Sequence, residues 1–540
     1  MKYPFTFFNV LLGVFLLQGF SLVAQEPAGL SVEDTTRKIH ILSNTRTLTF
    51  KTVDDSTKLT IITGDVKMRQ GNSLFYCDSC VINSRTNVFE AWGRVHINDS
   101  DTAHVHSNHL LYYGDRKVAY LDGNVRLTDG IATLTTPDLE YDMQTNLGTY
   151  KNGGRVVNKK TVLTSREGFY YADLKDVYFK KDVLLKDPAY TIDTDSLLYN
   201  TETRTTRFIS QTIIKDSSGR VIKTREGYYN PETGKAEFGS RPEILDGKTT
   251  IRANRVAFDD STGIYQAEGN AVVIDSAQGT TIIGGIIFQN KKTESVLATR
   301  KPLMIIKQED DSLYITADTL FTARLTDKFG NKDSIMVDSV KGIKTAVIEE
   351  KDSANRYFEA FRNVRIFSDS LQSVCDSMFY SFRDSVFRLY NDPVVWAQSS
   401  QITGDTILLY TKNKKADKIE AFENSFLVSR IEDEVYNQVK SMRMDGWFLE
   451  GSIDSARARA YAECIYYIQD EDSAYTGINQ SQCDIIDIYF EKKELDKVVF
   501  RGQVTGTLWP IRQKSPSEMQ LPGFRWLEER RPKTKFEMFE

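Results

Sequence analysis

An aromatic residue returns every 29 or 30 positions along more than half of this chain: Tyr112, Tyr141, Tyr170, Tyr199, Tyr229, Phe258 and Phe288, with later members at Tyr380 and Tyr410. Self-similarity at a fixed period of this size is the signature of a stacked or solenoidal architecture. Such a stack lengthens without enlarging a globular core, so the 540 residues need not divide into three or four domains. It also has one long shared interior, and what that interior holds becomes the functional question.

Each unit contains two recognisable strand-like pieces. The first follows a small or turn-forming pair, as in Gly64-Asp65-Val66-Lys67-Met68, Gly93-Arg94-Val95-His96-Ile97 and Gly123-Asn124-Val125-Arg126-Leu127, with a degenerate copy at Lys181-Asp182-Val183-Leu184-Leu185. Apolar residues at every second position, with charges between, describe a strand with one face buried and one wet. The Gly-Asp or Gly-Asn pair reads as the turn that opens it, since Gly accepts positive φ freely. The second piece ends on the aromatic: Asp138-Leu139-Glu140-Tyr141, Asp195-Ser196-Leu197-Leu198-Tyr199 and Asn254-Arg255-Val256-Ala257-Phe258. A weaker third strand, such as Thr86-Asn87-Val88-Phe89-Glu90-Ala91-Trp92, precedes the next turn. The expected fold is all-β, with three short strands per unit and no helical period.

Residues 1–24 read as a secretory signal peptide: Lys2, a mostly apolar stretch from Phe5 to Phe20, then Ser21-Leu22-Val23-Ala24. The alternatives are cleavage after Ala24 and a retained anchor. Repeats are expected over 25–324, a polar insertion loop over 325–345 and further repeats over 346–427. Residues 428–510 are expected to be irregular, partly helical between Val435 and Ala462, and then β again. Residues 511–540, with three prolines after Pro510, read as a tail or cap. Charged residues make up 26% of the chain and nearly balance at a net −5, which gives no electrostatic case for nucleic acid.

No catalytic or metal-binding constellation stands out. Gly-rich phosphate loops and a G-x-S-x-G elbow are absent, so no catalytic residue and no cofactor is assigned and the chain is not expected to be an enzyme. His104 and His106 would share a strand face, as two metal ligands could, but nothing in the sequence completes a site and they read as part of a wet strand. Cys77 and Cys80 are open to three readings: buried thiols, a disulfide across a turn at Asp78-Ser79, or a metal pair. The recurrent Asp138, Asp195, Asp318, Asp376 and Asp405 read as strand starters that bond local backbone.

What remains is the inward face. Val66, Met68, Val95, Ile97, Val125, Leu127, Leu139, Tyr141, Val183, Leu185, Leu197, Tyr199, Val256 and Phe258 all fall on it by alternation. In a closed stack they fill a core, which makes a structural or adhesive scaffold. If two walls splay apart, they line an apolar groove suited to acyl chains, at about 0.8 kcal/mol per buried methylene.

The G-[DN]-V-x-[ILM] strand followed about fifteen residues later by D-x-L-x-Y, exported behind a leader, resembles the OstA-like repeat of LptA-type periplasmic proteins and of the N-terminal domain of the translocon LptD. The stretch Glu463-Cys464-Ile465-Tyr466-Tyr467-Ile468-Gln469-Asp470-Glu471-Asp472-Ser473-Ala474, followed by Gly477-Ile478-Asn479, is similar to the long OstA-like proteins of Bacteroidetes. The resemblance implies an elongated β-jellyroll of stacked antiparallel strands whose cleft carries the lipid A acyl chains of lipopolysaccharide through the periplasm to the outer membrane. It also implies edge-to-edge β pairing with other lipopolysaccharide-transport proteins, and no catalytic site.

Overall fold

The computed structural model describes residues 40–539, apart from 43–44, 55–56, 71, 100–102, 308–311, 330–333, 337–343, 347–353, 414, 450–451, 471–473 and 492–493. The leader expected over 1–24 lies outside the described residues. Among those described, forty strands join one antiparallel sheet, while Ser334–Met336 and Lys344–Ala346 form a separate hairpin. Successive strands are spatial neighbours: Lys58–Gln70 pairs with Ser73–Asn83, then Val88–Asp99, Ala103–Tyr113, Val118–Thr128 and Thr133–Asp142. The all-β expectation is what the structure shows.

The Gly-Asp pairs do not open strands. They sit inside them, as corners. In Val88–Asp99 the pairing skips between Trp92 and Val95, and Gly93 and Arg94 both take positive φ, at 71° and 41°. Gly64/Asp65, Gly123/Asn124, Lys181/Asp182 and Gly269/Asn270 repeat the device. A bulge bends its strand and advances the alternation. Cys77 and Cys80, three apart on the partner strand, are therefore both turned inward, while Ala91 and Val95, four apart, keep one face across the corner. The unit is thus two long bent strands rather than three short ones. The local pattern misleads because a corner and a turn both require positive φ.

Several of the recurrent aspartates stand on the outer side of these corners and reach across to the neighbouring strand, not to local backbone. Asp138 accepts from Asn152 Nδ2 at 2.8 Å, Asp318 from Asn363 at 3.1 Å and Asp405 from Asn424 at 3.1 Å.

The corner row folds the sheet into two facing walls. The first wall carries the strand halves that lead into the turns at residues 84–87, 114–117 and 143–146; the second carries the other halves. Side chains meet between them: Phe75 of the second wall lies 5.1 Å from the Phe89 ring and 5.0 Å from the Tyr112 ring of the first. One buried apolar cluster runs from Ile62 to Ile488.

Two stretches differ from the sequence expectation. The described residues of 428–470 are neither irregular nor helical: among the described strands, Lys415–Glu432, Val435–Leu449, Ser452–Gln469 and Tyr475–Glu491 are the longest. Their alternation is obscured because both faces are covered. In the first wall the outward Asp445 is buried between Arg443 and Arg459, and Asp487 between Arg457 and Arg501. In the second wall, outward Phe426, Val428, Ile465 and Tyr467 are buried under Met519 and Leu521. Those last two belong to the C-terminal residues, which run back over the outer face as a strap. Gln438 bonds Met519 O and Leu521 N at 2.9 Å each, Gln401 bonds Arg525 O and Leu527 N, Arg531 bonds Gln372, and Met538 packs on Leu303 and Phe367. In the stretch read as an insertion loop, Leu325–Phe329 forms a short helix.

Candidate functional site

All fourteen inward residues singled out from the sequence lie between the walls, in one cluster, each no more than 4% exposed. The corner explains how residues from different halves of a strand meet there. Val125 and Leu127 face in from the second wall, Leu139 and Tyr141 from the first.

A row of residues paired strand to strand crosses the first wall near its free end. It reads Phe89, Tyr112, Ala119, Tyr141, Gly148, Tyr170, Val177, Tyr199, Thr206, Tyr229, Ala236, Phe258, Tyr265. Rings mostly alternate with small residues, and Gly148 shows why: a Cβ there would meet Leu127 Cδ2 at 3.3 Å, between two tyrosine strands.

The tyrosines do more than fill space. Their hydroxyls reach the tips of the second wall and close the mouth between the walls. Tyr112 donates to Gln70 Oε1, Tyr141 to Asp99 Oδ2 at 3.4 Å and Tyr170 to Asp129 Oδ2 at 2.5 Å. Burial, followed by the Asp129 charge, pushes the Tyr170 hydroxyl up, so it stays a donor. Farther along, Asn158 Nδ2 bonds Thr201 O at 3.1 Å. Arg220 then pairs with Asp216 at 2.7 Å and Asp260 at 2.9 Å, bonds the Tyr265 hydroxyl, and lies 4.7 Å over the Phe258 ring. Lys291 pairs with Asp246 across the mouth. Sequence reasoning placed the tyrosines in the interior but missed these latches, because their partners lie in tip turns about 42 residues away.

The aromatic period also misplaces two members. Phe288 is exposed and faces out, with Gln289 in its place in the row; Tyr410 likewise faces out, and Leu409 takes the inward position. A period of 29 or 30 cannot stay in phase with a strand period of 2, and one residue of slip turns a side chain to the other face.

The remaining polar features are outside the walls. His96 Nε2 lies 3.3 Å from His104 Nδ1, and the His106 ring stacks on His96 at 4.2 Å. Burial, then His106 and His104, pull the His96 imidazole down to about 4. At a corner, burial would lower His109, but hydrogen bonds to Asp122 at 2.8 Å and Glu90 at 2.9 Å raise it. Among the described residues, no three His, Cys, Asp or Glu side chains are grouped to hold a metal ion, and no helix is long and apolar enough to cross a membrane. The five cysteines are free buried thiols; Cys77 and Cys80 face the interior from opposite sides of a corner.

No curated protein matches the chain. Among solved structures, LptH of Pseudomonas aeruginosa, described as the LptA-homologous periplasmic component of its conserved lipopolysaccharide transport device, is 13% identical. That match spans 26% of this chain and 82% of LptH, with a TM-score of 0.19. The family model for OstA-like proteins matches residues 37–195, which include the three tyrosine latches to Gln70, Asp99 and Asp129. Over residues 37–195, this chain is similar to OstA-like proteins.

Proposed function

We propose that this protein binds lipopolysaccharide in the periplasm and passes it toward the outer membrane, with the lipid A acyl chains held between the two walls. The observation that carries the reading is the continuity of the interior. One apolar cluster spans the stack from Ile62 to Ile488, and its first part lies in the OstA-like segment. An apolar lining of this kind suits acyl chains, and no catalytic group is needed to hold them. At the two ends of the sheet, Thr47–Thr52 and Thr505–Pro510 are largely exposed edge strands. Unpaired edges accept further strands, so other lipopolysaccharide-transport proteins would join here by β pairing.

Mass spectrometry of lipid carried through purification from membranes tests the ligand. A photo-crosslinking residue at Val125, Leu197 or Tyr199 is expected to capture it, while one at the outward Arg126 or Glu140 is not. Equal capture at both sets refutes an interior route. The near-complete burial of the fourteen interior residues favours a second reading, a closed-core scaffold. That scaffold would carry no lipid, and depleting it would leave surface lipopolysaccharide unchanged.

A further inference from the structure

The ring row is broken at one place. After Phe258 and Tyr265, the next three paired positions are Gln289, Val296 and Thr322, before Phe358 and Tyr380 resume the rings. Beneath that break lies a cavity of about 370 Å³. Its inner lining includes Ile251, Val273, Ile282 and Met304 of the second wall, the same inward face that is filled elsewhere. The mouth changes at the same point. Lys291 still pairs across it with Asp246, but Arg356 turns to Glu294 on its own side, at 3.3 Å. Gln289 Oε1, in the lining, is buried with no hydrogen-bond partner.

We infer that this break is a side opening and binding site for one acyl chain of an amphiphile, whose head carries a hydrogen-bond donor and stays at the charged rim. The inference rests on the lipid-carrying reading above and places its point of access outside the OstA-like segment. Volume supports the occupant. About 10–15 Å³ of such space admits one water, so about 370 Å³ admits an aliphatic chain of several methylene groups. Apolar walls at the bottom match the chain. Gln289 Oε1 offers an acceptor to a hydroxyl or amide next to the head. The rim carries the ion pairs Asp246–Lys291 and Glu294–Arg356 together with the Asp275 carboxylate, which suits a polar head that donates hydrogen bonds. Elsewhere in the row one ringless residue at a time stands between rings, whereas Gln289, Val296 and Thr322 are three in succession.

Restoring the row should therefore shut the site. Gln289→Tyr and Thr322→Phe are each compared with the unaltered full chain for uptake of an undecanoyl amide whose head carries the amide N–H and a dansyl group, read by fluorescence. Circular dichroism and thermal melting establish that each variant is folded. Both should weaken uptake by about tenfold or more, whereas Phe288→Ser, on the outer face one residue away, should not. In the otherwise unaltered protein, a photo-crosslinker at Val296 should capture the probe more strongly than one at Val125. Undiminished uptake in a folded Gln289→Tyr or Thr322→Phe protein overturns the side opening and leaves interior carriage standing. If both variants unfold, capture at Val125 equal to or above that at Val296 overturns it in the same way. No uptake by the unaltered protein overturns the opening and the lipid-carrying reading together.

Discussion

The stretch from Phe89 to Tyr265 and the break from Gln289 to Thr322 share one backbone plan, yet their interiors differ. In the first, rings fill the row and hydroxyls latch the mouth. The spaces left beside Tyr170 and Arg220 are about 20 and 10 Å³, room for a water at most. In the second, three successive row positions lack a ring and about 370 Å³ stays open. Strand pairing and corners therefore set where the interior is, while a single residue per strand decides whether it is occupied. A stack built in this way can alternate sealed and accessible segments without altering its sheet.

The sharpest way to break the comparison is to remove a ring from the sealed segment. Tyr141→Ala deletes a fully buried ring and its bond to Asp99, and the neighbouring walls are held by the corners and cannot collapse on the space. The expected loss is about 3–5 kcal/mol, read as a lowered urea midpoint. Next in size is Arg220→Ala, which leaves Asp216 and Asp260 facing each other without their cation; about 1.5–3 kcal/mol is expected. In the open segment the sign reverses. Gln289→Tyr adds a ring where space exists and should stabilise by about 0.5–2 kcal/mol. A destabilised Gln289→Tyr protein would mean that the break is packed against something the row does not reveal.

Much of this was legible in the sequence, and the misses share a cause. The inward face was readable because strand alternation is local, so Val125, Leu197 and their companions fell where expected. The Gly-Asp pairs were readable as positive-φ sites, but nothing local tells a corner inside a strand from a turn before it. Phe288 and Tyr410 were placed by a 30-residue period, and only the pairing register shows that they face outward. The strands over 428–470 escaped because of the C-terminal residues, which the sequence reads as a tail or cap without saying what they cover. The strap covers Phe426, Val428 and Ile465 on the outside, so those strands lose the wet face that makes a strand recognisable. Contacts such as Arg531 with Gln372 join residues 159 apart and leave no mark in either neighbourhood.

The smallest predicted effect isolates the latch from the ring. Tyr170→Phe keeps the ring and removes only the hydroxyl that donates to Asp129, so about 1 kcal/mol is expected at neutral pH. Its pH dependence identifies the partner. Burial pushes the Asp129 carboxyl up, but hydrogen bonds from Ala132 N–H, the Tyr170 hydroxyl and Ile131 N–H outweigh it and hold the group below its ordinary range. A carboxyl depressed in the folded state contributes its full stabilisation above the unfolded value, about 3.9. That contribution disappears as pH falls through the lowered folded value. The stability difference between wild type and Tyr170→Phe should therefore stay flat from about pH 8 to about pH 5 and shrink only below about pH 4. Melting curves across that range check it. A difference that already shrinks near pH 6.5, where histidine titrates, would place the latch's charge on another group. The sealed mouth would then owe its closure to the rings alone, and Gln289 would differ from its neighbours in shape but not in polarity.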